Sequence, residues 1–257
     1  MIVPPHKNRI ARAFGRARGY AAEAHVQRQV AHALAERVAA TWRTAEPSIL
    51  EIGCGTGFLT AALAAHIAPA SWTITDIAPE MVARASASLK LPGAYRTMDG
   101  EHPDLGDARF DLIVSSLAFQ WFADLPSAVA RLAGLLKPGG ALAFATMAAG
   151  SFMEWRAAHD ALRLTTGTPH YPDADALQAL TPNGFVASVE VVPFVQQHED
   201  ARAFLRQLKA IGAATATDGH RTASPGELRR VMAAYDAGPR TATYHIGFCL
   251  FRAPPIG

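Results

Sequence analysis

The sequence predicts an α/β fold built on a mostly parallel sheet with helices on both faces. Three observations carry that prediction. Between residues 48 and 147, short apolar runs alternate with helix-patterned stretches, the rhythm of parallel strands joined by crossover helices. The first run, Ser48-Ile49-Leu50-Glu51-Ile52, breaks into Gly53-Cys54-Gly55-Thr56-Gly57. That break follows the first strand, and ligands of such sheets sit outside the carboxyl ends of the strands, where the strand order reverses.

At 257 residues, 50% of them hydrophobic, the chain can bury the core of one large domain. A net charge of +2 is too slight to call for nucleic acid, and no apolar run nears the ~20 residues of a membrane span. Met1-Ile2-Val3-Pro4-Pro5-His6-Lys7 lacks a charged segment leading into an apolar one, so a reduced, cytoplasmic setting is expected. Cys54 and Cys249 form neither a disulfide framework nor a metal-ligand spacing, so no metal is expected. A monomer is expected as well.

Residues 7–40 read as two helices. Ile10, Phe14, Ala17 and Ala21 recur at helical spacing, with Arg9, Arg12 and Arg16 on another face. Val26, Val30, Ala33, Leu34 and Val38 mark the second helix, and Gly19-Tyr20 the break between the two. Strands are expected at 49–52, 72–77, 94–98, 110–115 and 141–147, and helices at 58–66, 79–89 and 125–136. Lys137-Pro138-Gly139-Gly140 reads as a turn into the fifth strand.

After residue 150 the rhythm changes. A helix at 151–164 carries Phe152, Trp155, Ala158 and Leu162 on one face, followed by a strand at 185–195. The helix at 201–212 turns Phe204, Leu208 and Ile211 inward and Arg202, Arg206 and Lys209 outward. A helix at 227–235 and a strand at 243–251 complete the chain, and 214–226, rich in Ala, Thr and Gly, is expected to be a mobile loop.

Without Cβ atoms at Gly53, Gly55 and Gly57, the backbone can turn sharply and lie against a ligand. The exposed N–H groups and the helix N-terminus behind them favour an anionic group, although an ordinary glycine-rich turn has the same composition. A dinucleotide turn would need glycine at position 58; Phe58 stands there, and the third glycine comes one residue early. Asp76 ends the second strand, where a carboxylate accepts hydrogen bonds from ribose hydroxyls; it also suits a helix cap before Ala78-Pro79, and both roles can coexist. Asp99-Gly100 closes the third strand in the same way.

Glu51-x-Gly53-x-Gly55-x-Gly57, Asp76, Asp99, Phe110-Asp111-Leu112-Ile113-Val114-Ser115-Ser116 and Leu136-Lys137-Pro138-Gly139-Gly140, in that order, resemble the motif series of class I S-adenosylmethionine-dependent methyltransferases. The resemblance implies a Rossmann-like, seven-stranded, mostly parallel sheet with a helical cap, and S-adenosyl-L-methionine as cofactor. It implies one domain over 1–257, with a helical cap at 7–43 and a cofactor core at 46–150. A C-terminal part at 151–257 would add cap helices near 151–181 and 197–238 and the last two strands. It further implies that Gly53 to Gly57 lie under the methionine part, that Asp76 holds the ribose, that Met81 covers the adenine, and that Glu51, Cys54, Ile77 and Gly100 also belong to the cofactor site. Asp99 would meet the adenine amino group, Ser116 would lie near the methyl group, and Gln27 would reach the cofactor carboxylate.

A narrower resemblance covers about residues 7–252. Ala13-Phe14-Gly15-Arg16-Ala17, Gln27-Arg28-Gln29, Ser116-Leu117-Ala118-Phe119-Gln120-Trp121, Leu208-Lys209-Ala210-Ile211-Gly212-Ala213 and Thr243-Tyr244-His245 resemble the malonyl-carrier-protein O-methyltransferases of biotin synthesis. That family methylates the free carboxyl of a malonyl thioester on acyl carrier protein. The segment between Arg16 and Gln27 departs from its pattern by being one residue shorter, which bears on the match of Tyr20.

The chemistry agrees. A carboxylate of pKa ~4 is already ionised at neutral pH and needs no general base, and the sequence has no Ser/His/Asp or Cys/His arrangement. A hydroxyl acceptor with an unrecognised base fits the same pattern, so no catalytic residue is assigned. Tyr20, Gln120 and Trp121 are the candidates for the acceptor pocket, with core packing the alternative for Trp121 and a helix break for Tyr20. Arg9, Arg12, Arg16, Arg202, Arg206 and Lys209 are candidates to dock an acidic carrier, or simply to form solvated faces. His159, His170, His198 and His220 show no ligand spacing and read as surface residues, and His245 as packing.

Three other functions stay open. One is methylation of another small carboxylate or hydroxyl metabolite. Another is an arginine-modifying assembly factor of respiratory complex I, which Val114-Ser115-Ser116-Leu117, Trp121 and Asp124-Leu125-Pro126 also resemble. The last is a cofactor-binding protein without chemistry.

Overall fold

A computed structural model describes residues 5–17, 20–212 and 223–255. Its chain runs α1 (Pro5–Arg16), α2 (Tyr20–Glu23), α3 (His25–Thr41), β1 (Ser48–Ile52), α4 (Phe58–Ala64), β2 (Ser71–Asp76), α5 (Pro79–Leu89), β3 (Ala94–Thr97) and β4 (Phe110–Ser116). It continues through α6 (Leu125–Ala133), β5 (Leu136–Met147), α7 (Met153–Asp160), α8 (Ala174–Gln178), β6 (Val186–Gln197), α9 (Ala201–Ala210), α10 (Pro225–Asp236) and β7 (Thr241–Arg252). The strands form one seven-stranded sheet in the order β3-β2-β1-β4-β5-β7-β6. β1 to β5 are parallel, and β7 runs antiparallel to both β5 and β6. The chain moves outward from β1 to β3, then returns to place β4 on the other side of β1, so the strand order reverses between β1 and β4.

Period-two alternation sorts the strand residues onto two faces. Ile49, Leu112, Val114 and Ala143 join the core shared with α3, α4, α7 and α9, while Leu50, Ile52, Ile113 and Phe144 join the core on the opposite face. With both faces covered, β1 and β4 are buried along nearly their whole length, as central parallel strands are. Phe119 lies in a single 3-10 turn after β4 and stacks on Phe144 at 4.6 Å and Phe122 at 4.7 Å. That fixes the loop carrying Gln120 and Trp121 against the sheet, each ring pair adding roughly 0.5–1.5 kcal/mol beyond its area burial.

Several expectations need correction. β5 starts at Leu136, so Lys137-Pro138-Gly139-Gly140 is the irregular beginning of a strand rather than a turn, and α6 ends at Ala133. Backbone pairing shifts register between Phe110 and Leu112, Lys137 Nζ reaches Asp111 Oδ2 at 2.6 Å, and the Gly139 N–H donates to Pro254 O at 2.9 Å. α7 is shorter than the expected 151–164, because left-handed residues bracket it, Phe152 at φ 57° and Arg163 at φ 55°. The N-terminal region holds three helices rather than two, Tyr20 beginning the short middle one, and α8 falls within the range near 151–181 where cap helices are expected. His159 and His198 are buried rather than surface residues: His159 Nδ1 lies 2.9 Å from Trp155 O, and His198 packs edge-on against Phe204. Gly19, His220 and most of the expected mobile loop lie outside the described residues, and 225–226 already belong to α10.

Candidate functional site

The site begins at the reversal point between β1 and β4. Gly53 has φ +70°, and a Cβ there would overlap the Ala118 Cβ; Gly57 has φ +93°, and a Cβ there would lie 2.7 Å from Leu89 Cδ1. Both positions therefore require glycine on conformation and on space. The turn is tied to β2 twice: Cys54 N–H donates to Thr75 O at 2.9 Å, and Gly55 N–H donates to Asp76 Oδ2 at 2.9 Å. Asp76 Oδ1 accepts from Ala78 N–H at 2.8 Å, so the carboxylate joins the glycine turn to the start of α5. Burial pushes the Asp76 pKa up, opposed by hydrogen bonds from the Ala78, Gly55 and Ile77 backbone.

A cavity opens over this turn. Gly53 and Gly55 line it from the turn, Asp76, Ile77 and Met81 from β2 and α5, Asp99 and Gly100 from the end of β3, and Ser116 from β4. Glu51, Cys54 and Gly57 are not among its wall residues. Glu51 is 1% exposed beneath the turn, where its carboxyl accepts from the Thr60 hydroxyl. Burial lifts its pKa to about 8, against hydrogen bonding from Thr60 and with the help of the Asp76 charge. It pins α4 to β1 rather than facing the cavity.

A second cavity lies beside the first. Phe14, Tyr20, Leu117 and Trp121 line both and form the partition. Tyr20 stacks over Phe58 at 6.1 Å and meets Phe14 edge-on at 6.4 Å, while Phe14 meets Trp121 edge-on at 5.6 Å. Burial first, then the Asp76 and Cys54 charges, drive the Tyr20 phenol pKa upward, so this hydroxyl stays protonated and cannot serve as a base near neutrality. Gln27 and Gln120 line the second cavity, Gln120 with its amide held by Leu117 O at 2.7 Å. Met147, Phe152, Trp155 and Tyr244 supply much of the remaining wall, and no Asp, Glu, Lys, Arg or His stands among its described lining residues. His245 lines neither cavity, packing near Gly150 instead.

α9 closes the second cavity with Phe204, Leu205 and Leu208, while Arg202, Arg206 and Lys209 are exposed on its outer side. Arg9, Arg12 and Arg16 are exposed on α1. The turn after α9 approaches α1, where a Cβ on Gly212 would lie 3.1 Å from Phe14 Cδ1. Sequence reasoning missed Phe14 and Leu117 as partition residues. It also missed Lys7, a buried cation whose partners lie more than ninety residues along the chain.

A family model described as a methyltransferase domain matches residues 50–144. The chain is 48% identical over 236 residues to the biotin biosynthesis bifunctional protein BioCD of Bordetella avium, covering 91% of this chain and 50% of that protein. It thus spans half the length of that relative. It is 41% identical over 243 residues to the malonyl-[acyl-carrier protein] O-methyltransferase of Magnetococcus marinus, covering 93% of this chain and 90% of that one. Among solved structures, the N-methyltransferase NodS of Bradyrhizobium japonicum, in complex with S-adenosyl-L-homocysteine, shares the fold at a TM-score of 0.51 and 18% identity, over 87% of this chain and 85% of that one.

Proposed function

Because the chain belongs to the malonyl-[acyl-carrier protein] O-methyltransferase family, we propose that it methylates the free carboxyl of a malonyl thioester on acyl carrier protein, an early step of biotin synthesis. The wall of the first cavity supports S-adenosyl-L-methionine as its occupant. The Asp76 carboxylate is an acceptor suited to a ribose hydroxyl, Ile77 and Met81 offer apolar surface to a flat base, and the bare glycine turn admits a chain along its backbone. Bound there, the cofactor supplies an electrophilic methyl group.

The protein's own part is positioning and exclusion of water. Phe14, Tyr20, Leu117 and Trp121 form the boundary at which donor and acceptor would meet. The acceptor carboxylate arrives ionised, and a chamber with no charged side chain among its described lining residues neither binds it too tightly in the ground state nor hydrates it. The protonated Tyr20 hydroxyl is available as a donor that orients it. The exposed basic residues of α1 and α9 suit an acidic carrier delivering its thioester arm.

The observation that carries this reading is the aromatic chamber, its described lining free of charged side chains, sharing a wall with the glycine-turn cavity. Complementation tests it: in a bacterium deprived of its own malonyl-carrier methyltransferase, the gene should restore growth without biotin, and an Asp76→Ala version should not. Failure of the unaltered gene, with the protein expressed and folded, would overturn it.

A further inference from the structure

Lys7 is 3% exposed, an unusual state for a lysine, which is almost never fully buried unless paired. It stands in the first turns of α1 and lines the first cavity. Its Nζ lies 2.7 and 2.6 Å from the two Asp99 carboxylate oxygens and 2.6 Å from Glu101 Oε2. Glu101 reaches onward, accepting from Asp124 N–H at 2.7 Å and Ala123 N–H at 3.1 Å. The ammonium also lies 6.0 Å from the Phe122 ring centroid. Three separate segments of the cavity wall therefore converge on one charge: α1, the turn after β3, and the loop that carries Trp121 and Phe122.

Both carboxylates are held in their ionised form. Burial weighs against both carboxylates, but hydrogen bonds from Lys7 and from backbone N–H groups outweigh it and hold the Asp99 and Glu101 pKa values below the ordinary range. His102 adds a contact at 3.3 Å from Asp99 Oδ2. A buried cation between two carboxylates is tolerable only while the set is complete, because removing one member leaves uncompensated charge. At its other end α1 is held by Arg84, which donates to Gly15 O at 2.7 Å and Ala17 O at 3.0 Å. The helix is thus fastened at both ends across the cavity mouth.

We propose that Lys7 is the latch of the cofactor chamber: its ion pairs hold α1 closed and set how fast the cofactor and its demethylated product leave. The inference rests on reading the first cavity as the cofactor's. Lys7 acts here as a positioning residue through Asp99 and Glu101, and the loop beyond Glu101 transmits the same closure to the partition at Trp121.

The test is stopped-flow release of S-adenosylhomocysteine from the full-length enzyme, with melting temperatures recorded for each variant. Lys7→Met should speed release by about tenfold or more, and the loss should fall on KM for the cofactor rather than on kcat. Glu101→Gln should act in the same direction although Glu101 does not line the cavity, and the double variant should release no faster than Lys7→Met alone. Unchanged release from a folded Lys7→Met, additive effects in the double variant, or a loss confined to kcat would each overturn the latch. Should Lys7→Met fail to fold, Glu101→Gln decides alone, and unchanged release there overturns the proposal. Failure of the unaltered enzyme to bind the nucleoside would instead refute the cofactor reading on which the latch depends.

Discussion

The backbone N–H of Gly55 donates to Oδ2 of Asp76 at 2.9 Å, so the turn after β1 and the carboxylate at the end of β2 form one rigid unit. Loss of that charge should loosen the turn and remove the ribose acceptor together. Asp76→Asn keeps the shape, and affinity for S-adenosyl-L-methionine should fall by roughly 10- to 100-fold, the scale of one charged hydrogen bond. Isothermal titration checks this, and equal affinity would contradict it.

Gly53 combines a left-handed backbone with the close approach of Ala118. Gly53→Ala should lower stability by about 1–3 kcal/mol and weaken cofactor binding beyond what the stability loss alone accounts for. Denaturant titration and calorimetry on the same sample separate the two effects.

Glu51 gives a pH signature. Its folded pKa of about 8 stands above its ordinary value of 4.5, so between those values the folded state keeps a proton that the unfolded chain has lost. The stability it contributes is fully present below about pH 4.5 and is lost as pH rises through about 8. Glu51→Gln, permanently neutral, should lack that decline. Urea midpoints measured from pH 5 to 9 provide the comparison, and parallel curves would show that Glu51 is ionised in the fold.

The basic faces of α1 and α9 should act on the carrier more than on the malonyl group. Charge reversal at Arg202, Arg206 and Lys209 should raise KM for malonyl-carrier protein, and more steeply at low salt, where exposed charges are least screened. Turnover of malonyl-coenzyme A should fall less. Steady-state kinetics at two ionic strengths would expose an equal loss on both substrates, which would place these residues outside any docking surface.

What was legible in the sequence was local. Apolar runs such as Ile49 to Ile52 and Leu112 to Val114, the glycine turn and the acid ending β2 each announce themselves within a few residues, and the sheet follows from their order. The start of β5 was not legible, because Pro138, Gly139 and Gly140 have turn chemistry and are drawn into the sheet by Asp111 and the chain near Pro254. His159 and His198 were misjudged because aromatic neighbours, not ligand spacing, determine their burial. Lys7 was hidden by distance: nothing near it in sequence signals that Asp99 and Glu101 will enclose it. Glu51 sits in a motif that resemblance assigns to the cofactor, whereas its side chain turns under the strand to Thr60.

The measurement that bears most directly on the account is the intact mass of malonyl-carrier protein after incubation with the enzyme and S-adenosyl-L-methionine. The account predicts a gain of one methyl group on the malonyl carboxyl, absent with Asp76→Ala and absent when the carrier bears an acetyl group that lacks the free acid. An unchanged mass with enzyme that demonstrably binds the cofactor would contradict it.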